Sequence, residues 1–270
     1  LTVFNFEQWA KAAHTHHVPL IIDNTFATPI LCRPIEWGAD IVVHSTTKYM
    51  DGHAVQGGGA IIDSGKFDWT AAHEATGKFS DFVEPDPSYH GLNYVKDFGT
   101  AAYIVKARTQ LMRDFGCYPA AHSAFLLNLG LETLHVRMPQ YCKNALAVAE
   151  YFKRSPKIEQ VSYPSLAGDS YYERAKKYLP DGSGGVATIC IRGGREAALR
   201  FMNALQLATM EVHVADIRTC VLHPASTTHR QLTDSQLAAA GIHSGLVRFS
   251  CGLENTTDII EDIERGLSAI

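Results

Sequence analysis

The sequence predicts an α/β protein, with a mostly parallel sheet in a larger first unit and a smaller α/β unit behind it. Short apolar runs bounded by turn residues alternate with segments of helical spacing. That alternation, rather than a block of strands followed by a block of helices, is the pattern of strands joined by helical crossovers. A chain of 270 residues has room for one large domain or two modest ones.

Each element follows from local pattern. Phe6, Trp9, Ala10 and Ala13 recur at helical spacing behind Asn5, a capping residue type. Leu20-Ile21-Ile22 follows Pro19 and ends at Asp23, a first strand. A short helix is expected over Ile35 to Gly38, then a second strand at Ile41-Val42-Val43 that ends at His44-Ser45. Gly57-Gly58-Gly59 precedes a third, Ala60-Ile61-Ile62. Residues 64–99 have weak periodicity and contain Glu84-Pro85-Asp86-Pro87, which reads as a long surface excursion with at most one short helix. Thr100 to Phe152 reads as helical, broken into three pieces at Pro119 and Pro139. The second unit has strands at Val186–Ile191 and Leu246–Phe249. It also has a helix from Gly193-Gly194 through Leu207 and a closing amphipathic helix marked by Ile259, Ile260, Ile263 and Leu267. The division between units is expected at 137/138, giving residues 1–137 and 138–270.

Composition excludes several classes of partner. The net charge of −4 gives no reason to expect nucleic acid or a membrane surface. No apolar run is long enough to span a bilayer and no signal peptide opens the chain, so the cytoplasm is the expected compartment. The six cysteines form no CxxC pair and read as buried free thiols. His14 and His17 share a helical face with no carboxylate placed to join them, and no metal site is expected. No Gly-x-Gly-x-x-Gly follows a strand into a helix, which argues against a dinucleotide binder.

Chemistry concentrates at the predicted strand ends, where open α/β sheets place ligands. Lys48 follows a buried strand in Ser45-Thr46-Thr47-Lys48-Tyr49. A lysine that forms a Schiff base needs a partly deprotonated amine, which burial and a neighbouring cation favour. Ser45 and Thr47 offer hydroxyls, and the glycines at 52, 57, 58 and 59 let backbone approach a phosphate. On this pattern alone Lys48 reads more readily as a surface lysine after a strand. Asp23 shifts the reading, because it ends a neighbouring strand where a carboxylate can pair with a protonated pyridine nitrogen. Alone, Asp23 also fits a turn cap.

Ile22-Asp23-Asn24-Thr25-Phe26-Ala27-Thr28-Pro29 and Val42-Val43-His44-Ser45-Thr46-Thr47-Lys48-Tyr49 resemble the Cys/Met-metabolism enzymes of fold type I, which depend on pyridoxal 5'-phosphate (PLP). Gly130-Leu131-Glu132-Thr133-Leu134, His223-Pro224-Ala225-Ser226-Thr227-Thr228-His229 and Leu246 through Glu254 extend the match along the chain. The resemblance implies PLP as cofactor. It implies Lys48 as its lysine, Asp23 as partner of the pyridine nitrogen, and Ser45 and Thr47 as phosphate-binding hydroxyls. It further implies Arg248 as the grip on the substrate carboxylate, a role suited to a planar guanidinium. His213 stands where relatives carry Ser or Asn, so a substrate-side role for its backbone or imidazole is expected.

Residues 60–69 and 84–91 are similar to the O-acetylhomoserine sulfhydrylases within that group. The resemblance therefore implies γ-replacement on an activated homoserine by sulfide or a small thiol. Methionine γ-lyase and cystathionine synthase or lyase activities are the nearest alternatives. A folded PLP-binding or subunit module without turnover is the alternative from another class. A homo-oligomer, a dimer of dimers, is also implied. Relatives extend beyond the position of Leu1, and that region supplies an aromatic ring and phosphate contacts, so a further N-terminal segment is expected.

Overall fold

Three short strands form the sheet at the chemical end of the molecule. The computed structural model describes all 270 residues. β1 (Ile21–Asp23), β2 (Ile41–Ser45) and β3 (Gly59–Asp63) lie in that order. β1 and β2 are parallel, with Asp23 opposite Val43. β2 and β3 are antiparallel, with Ser45 opposite Gly59. The expectation of a mostly parallel sheet is thus corrected to a mixed one here. A parallel return needs a crossover over the sheet face, usually a helix. Residues 46–58 instead spend their length on turns around Lys48 and return along the adjacent edge.

The helix Phe6–Thr15 starts where expected: Asn5 Oδ1 accepts the Gln8 N–H at 3.2 Å. It buries Phe6 and Ala10, Phe6 in a cluster with Ile22 and Val42 of the sheet. The short helix near residue 35 is a 3₁₀ turn, Pro34–Trp37. The excursion after β3 is more ordered than its pattern predicts. Helices Trp69–Thr76, Ser80–Val83 and Tyr94–Phe98 gather around Trp69, Phe82 and Tyr94. Trp69 and Phe82 stack with ring centroids 4.2 Å apart. Helices this short span too few turns to show a period, so the sequence hides them.

Pro139 does not break the following helix, which runs unbroken from Ala121 to Arg154. Pro139 removes the hydrogen bond to the His135 carbonyl, but both residues lie on the exposed face, where water can satisfy it. On the other face Leu134, Met138, Tyr141 and Ala145 are buried and hold the axis.

The second sheet contains β4 (Ile158–Ser162), β5 (Val186–Ile191), β6 (Thr209–Met210), β7 (Cys220–Leu222) and β8 (Leu246–Ser250), in the order β4-β5-β8-β7-β6. Only β6 and β7 are parallel. Helices Gly194–Ala204 and Thr256–Ser268 cover it, together with the end of the long helix. The first of these stops short of Leu207. The Asp262 carboxylate accepts the N–H groups of Gln206, Leu207 and Ala208 at 2.7, 3.0 and 2.9 Å and draws that backbone off the helix axis. No helix is long and apolar enough to cross a membrane.

Candidate cofactor and substrate site

Asp23 closes β1 in an Asx turn. Its Oδ1 accepts Thr25 N–H at 2.9 Å and the Thr25 hydroxyl at 2.6 Å. Thr25 Oγ1 in turn accepts the Ser45 N–H at 2.8 Å. One hydroxyl therefore ties the ends of β1 and β2 together and orients the carboxylate. Both hydrogen bonds fall on Oδ1, so Oδ2 keeps its acceptor capacity. Thr25 was not singled out from the sequence; its position two residues after an Asp was the available signal.

Asp23, Ser45 and Lys48 line one cavity of about 550 Å³, with Phe26 and Ser183 on its wall. Thr47 is not part of that wall. Its Oγ1 accepts the Gly58 N–H at 3.1 Å and lies 3.4 Å from the Gly58 carbonyl, so it ties the lysine loop to the glycine run. A Cβ at Gly58 would sit 2.9 Å from Thr46 Oγ1, which explains glycine at this close approach.

The lysine loop is gripped from the long helix by Arg137, which sequence reasoning missed. Arg137 is 6% exposed. It donates to the carbonyls of Tyr49 (2.8 Å), Met50 (3.3 Å) and Gly130 (2.8 Å). Gly130 permits the approach, since a Cβ there would stand 2.5 Å from the Met50 carbonyl oxygen. Tyr49 is fully buried, and its hydroxyl accepts the Gly185 N–H at 2.8 Å. Lys48 is thus held between two anchored neighbours. Its only polar side-chain neighbour within hydrogen-bond range is His213, with Nζ 3.5 Å from Nδ1. Burial pulls the Lys48 pKa below the usual lysine value, and the nearby Arg248 charge lowers it further.

Arg248 lies on β8 between Thr188 of β5 and Leu222 of β7. Its Nη2 donates to the carbonyls of Val212 (2.9 Å) and His213 (2.8 Å), and more weakly to Glu211 at 3.4 Å. Its Nε is buried with no partner. A buried donor left unpaired is costly, and a guanidinium in that state is ready for a planar anion. His213 thereby meets both neighbours: its carbonyl holds Arg248 and its imidazole approaches Lys48.

Two other groups differ from expectation. His14 does find a carboxylate, with Nε2 2.8 Å from Asp40 Oδ2. That oxygen also accepts the Leu20 N–H at 2.7 Å, so the pair fastens the first helix to the strand it precedes. Five cysteines are buried free thiols, but Cys117 is exposed, beside a helix end where little packs.

A strand-end lysine and a half-satisfied carboxylate share one cavity, and the half-buried Arg248 bears on the lysine through its charge. The chain belongs to the Cys/Met metabolism PLP-dependent enzyme family, whose model matches residues 1–268. It is 44% identical over 264 residues to a homocysteine synthase of Schizosaccharomyces pombe, covering 97% of this chain and 61% of that one. It is 44% identical over 270 residues to an O-acetyl-L-homoserine sulfhydrylase of Leptospira meyeri, covering 97% and 60%. The chain thus spans about three fifths of the length of these relatives. Among solved structures, a candidate O-acetylhomoserine (thiol)-lyase of Campylobacter jejuni holding a pyridoxyl-lysine superposes with a TM-score of 0.91. It shares 34% identity, over 99% of this chain and 63% of that one. This likeness shows the fold to be fold type I α/β.

Proposed function

We propose that the protein catalyses γ-replacement on O-acetyl-L-homoserine. Sulfide or methanethiol displaces acetate at Cγ and gives homocysteine or methionine. The observation that carries this reading is the meeting of Lys48, of lowered pKa, with Asp23 and Ser45 on one cavity and Arg248 within electrostatic reach. The names of the relatives support the choice of substrate.

The residues fit the cofactor. Asp23 Oδ2 has spare acceptor capacity for a pyridine N–H, Ser45 offers a hydroxyl donor on the same wall, and Lys48 offers the amine. Thr47 would serve the phosphate as the resemblance implies, by exchanging its Gly58 contact. When bound, PLP supplies an electron sink for charge developing next to the substrate amine. Arg248 then binds the substrate carboxylate through its unpaired donors. The lowered pKa leaves Lys48 more often neutral, able to take a proton at the substrate Cα and return it. Arg137 keeps that amine in register.

The same reading treats residues 1–137 as the C-terminal part of the cofactor-binding domain and 138–270 as the substrate-binding domain. It makes the protein a cytoplasmic homo-oligomer, a dimer of dimers, with an amino acid and a sulfur nucleophile as its small-molecule partners. Product analysis tests it. O-acetylhomoserine plus sulfide should yield homocysteine and acetate in equal amounts, while methionine alone should yield nothing. Release of methanethiol from methionine without a co-substrate would assign elimination instead.

A further inference from the structure

His213 and Asp216 belong to the segment between β6 and β7, and the chain turns sharply between them. Ala215 is fully buried with a left-handed φ of 66°, uncommon for a residue with a Cβ. Its N–H donates to Ser250 Oγ at 3.0 Å, which pins the turn to β8. The result is an imidazole with one nitrogen toward each of two ionisable groups. Nδ1 lies 3.5 Å from Lys48 Nζ. Nε2 is buried, has no hydrogen-bond partner, and lies 3.7 Å from Asp216 Oδ2. Asp216 is 1% exposed and is fixed by the Arg218 N–H and Nε–H, at 2.9 and 3.0 Å.

This arrangement selects a tautomer. A proton on Nε2 points toward a carboxylate, and the lone pair on Nδ1 points toward an ammonium. The reverse tautomer would set a lone pair against the carboxylate and an N–H against the ammonium. We propose that His213 is a positioning residue that acts through Lys48, taking up and returning the lysine's proton while Asp216 orients the imidazole. In the forward step an N–H bond of the Lys48 ammonium breaks and its electron pair stays on Nζ. The proton bonds to the Nδ1 lone pair, and the imidazolium charge faces the Asp216 carboxylate. Nothing is oxidised or reduced, and the reverse step restores both groups.

The surroundings agree with this role. Lys48 supplies the positive charge near the imidazole, and Asp216, Glu211 and Asp51 the negative; Arg248 bears on Lys48 and holds the His213 carbonyl. The Cys220 thiol donates to the His213 carbonyl at 3.4 Å and stays neutral, its pKa pushed up to about 11 by burial. Burial first, and then Lys48, hold the imidazole below the usual histidine range, which favours the uncharged form with its Nδ1 lone pair open. The inference rests on the reading of Lys48 as the proton-moving amine, and it adds where that proton waits.

An NMR pH titration of the His213 imidazole, in the full chain freed of cofactor, tests it. The resonance is assigned by its loss in His213→Asn. Lys48→Met removes the neighbouring cation and should raise the midpoint; Asp216→Asn removes the anion and should lower it. Each shift should be on the order of one pH unit. Lys48→Gln gives the same sign if the Met variant is unstable. A midpoint unmoved by either Lys48 variant overturns the proposal, because the ammonium would then not stand beside the imidazole. Borohydride fixation of added PLP on wild-type Lys48 is read separately. Fixation without coupling overturns the proton partnership alone; coupling without fixation overturns the reading of Lys48 on which the inference rests.

Discussion

The two sheets differ in how deeply they are buried. In the β4–β8 sheet Ile189, Ile191, Val221, Val247 and Phe249 are all at 0% exposure. In the β1–β3 sheet Ile21 and Ile61 are 50% exposed and Ile62 is 40% exposed. The first sheet carries the lysine and the carboxylate; the second carries the arginine and most of the core. The strand ends beside Lys48 and Asp23 thus lie in a different sheet from the one that holds most of the core. The two parts meet at several points, among them Tyr49 with Gly185, Lys48 with His213, and Tyr178 with Asn5 and Glu7.

Truncating one side chain in each sheet tests this contrast. Phe249 packs against Phe152 with centroids 5.7 Å apart inside the core of 22 buried residues. Phe249→Ala should cost about 3–5 kcal/mol of unfolding free energy in urea. Ile61→Ala should change this chain by no more than about 0.5 kcal/mol. Equal losses would erase the distinction between the sheets.

A smaller effect should appear with pH. His44 on β2 and His223 just after β7 are 5% and 0% exposed, and burial lowers both pKa values from 6.5. His223 is bonded at both ring nitrogens, to Ser226 Oγ at 2.8 Å and the Ser244 carbonyl at 2.7 Å, whereas His44 Nδ1 has no partner. With folded pKa values below the unfolded one, the unfolded state takes protons first as pH falls. Their contribution is complete above about pH 6.5 and is lost as pH falls through the folded values. Thermal unfolding should therefore shift to lower temperature as pH falls below about 6.5, and His223→Gln should flatten the dependence. A midpoint that stays constant or rises on acidification would contradict the assignment.

Much of this was legible in residue order. β1, β2, β3, β5 and β8 announce themselves as apolar runs, and Asp23, Ser45 and Lys48 stand at their ends. β4, β6 and β7 did not: β4 has only two apolar residues among its five, β6 has two residues in all, and β7 has three with no turn signal before it. Pro139 misled because the hydration of the His135 carbonyl depends on which face is exposed, a fact of tertiary structure. Arg137 and Asp216 were invisible for the same reason: a buried charge is recognised by what surrounds it. Thr47 kept its place in the motif, but its hydroxyl is spent on Gly58.

The measurement that bears most directly on the account is borohydride reduction of the protein with PLP, followed by peptide mass analysis. The account predicts one pyridoxyl adduct, on the peptide containing Lys48, absent from Lys48→Ala and retained in Arg248→Ala. An adduct on another lysine, or one that survives Lys48→Ala, would contradict it.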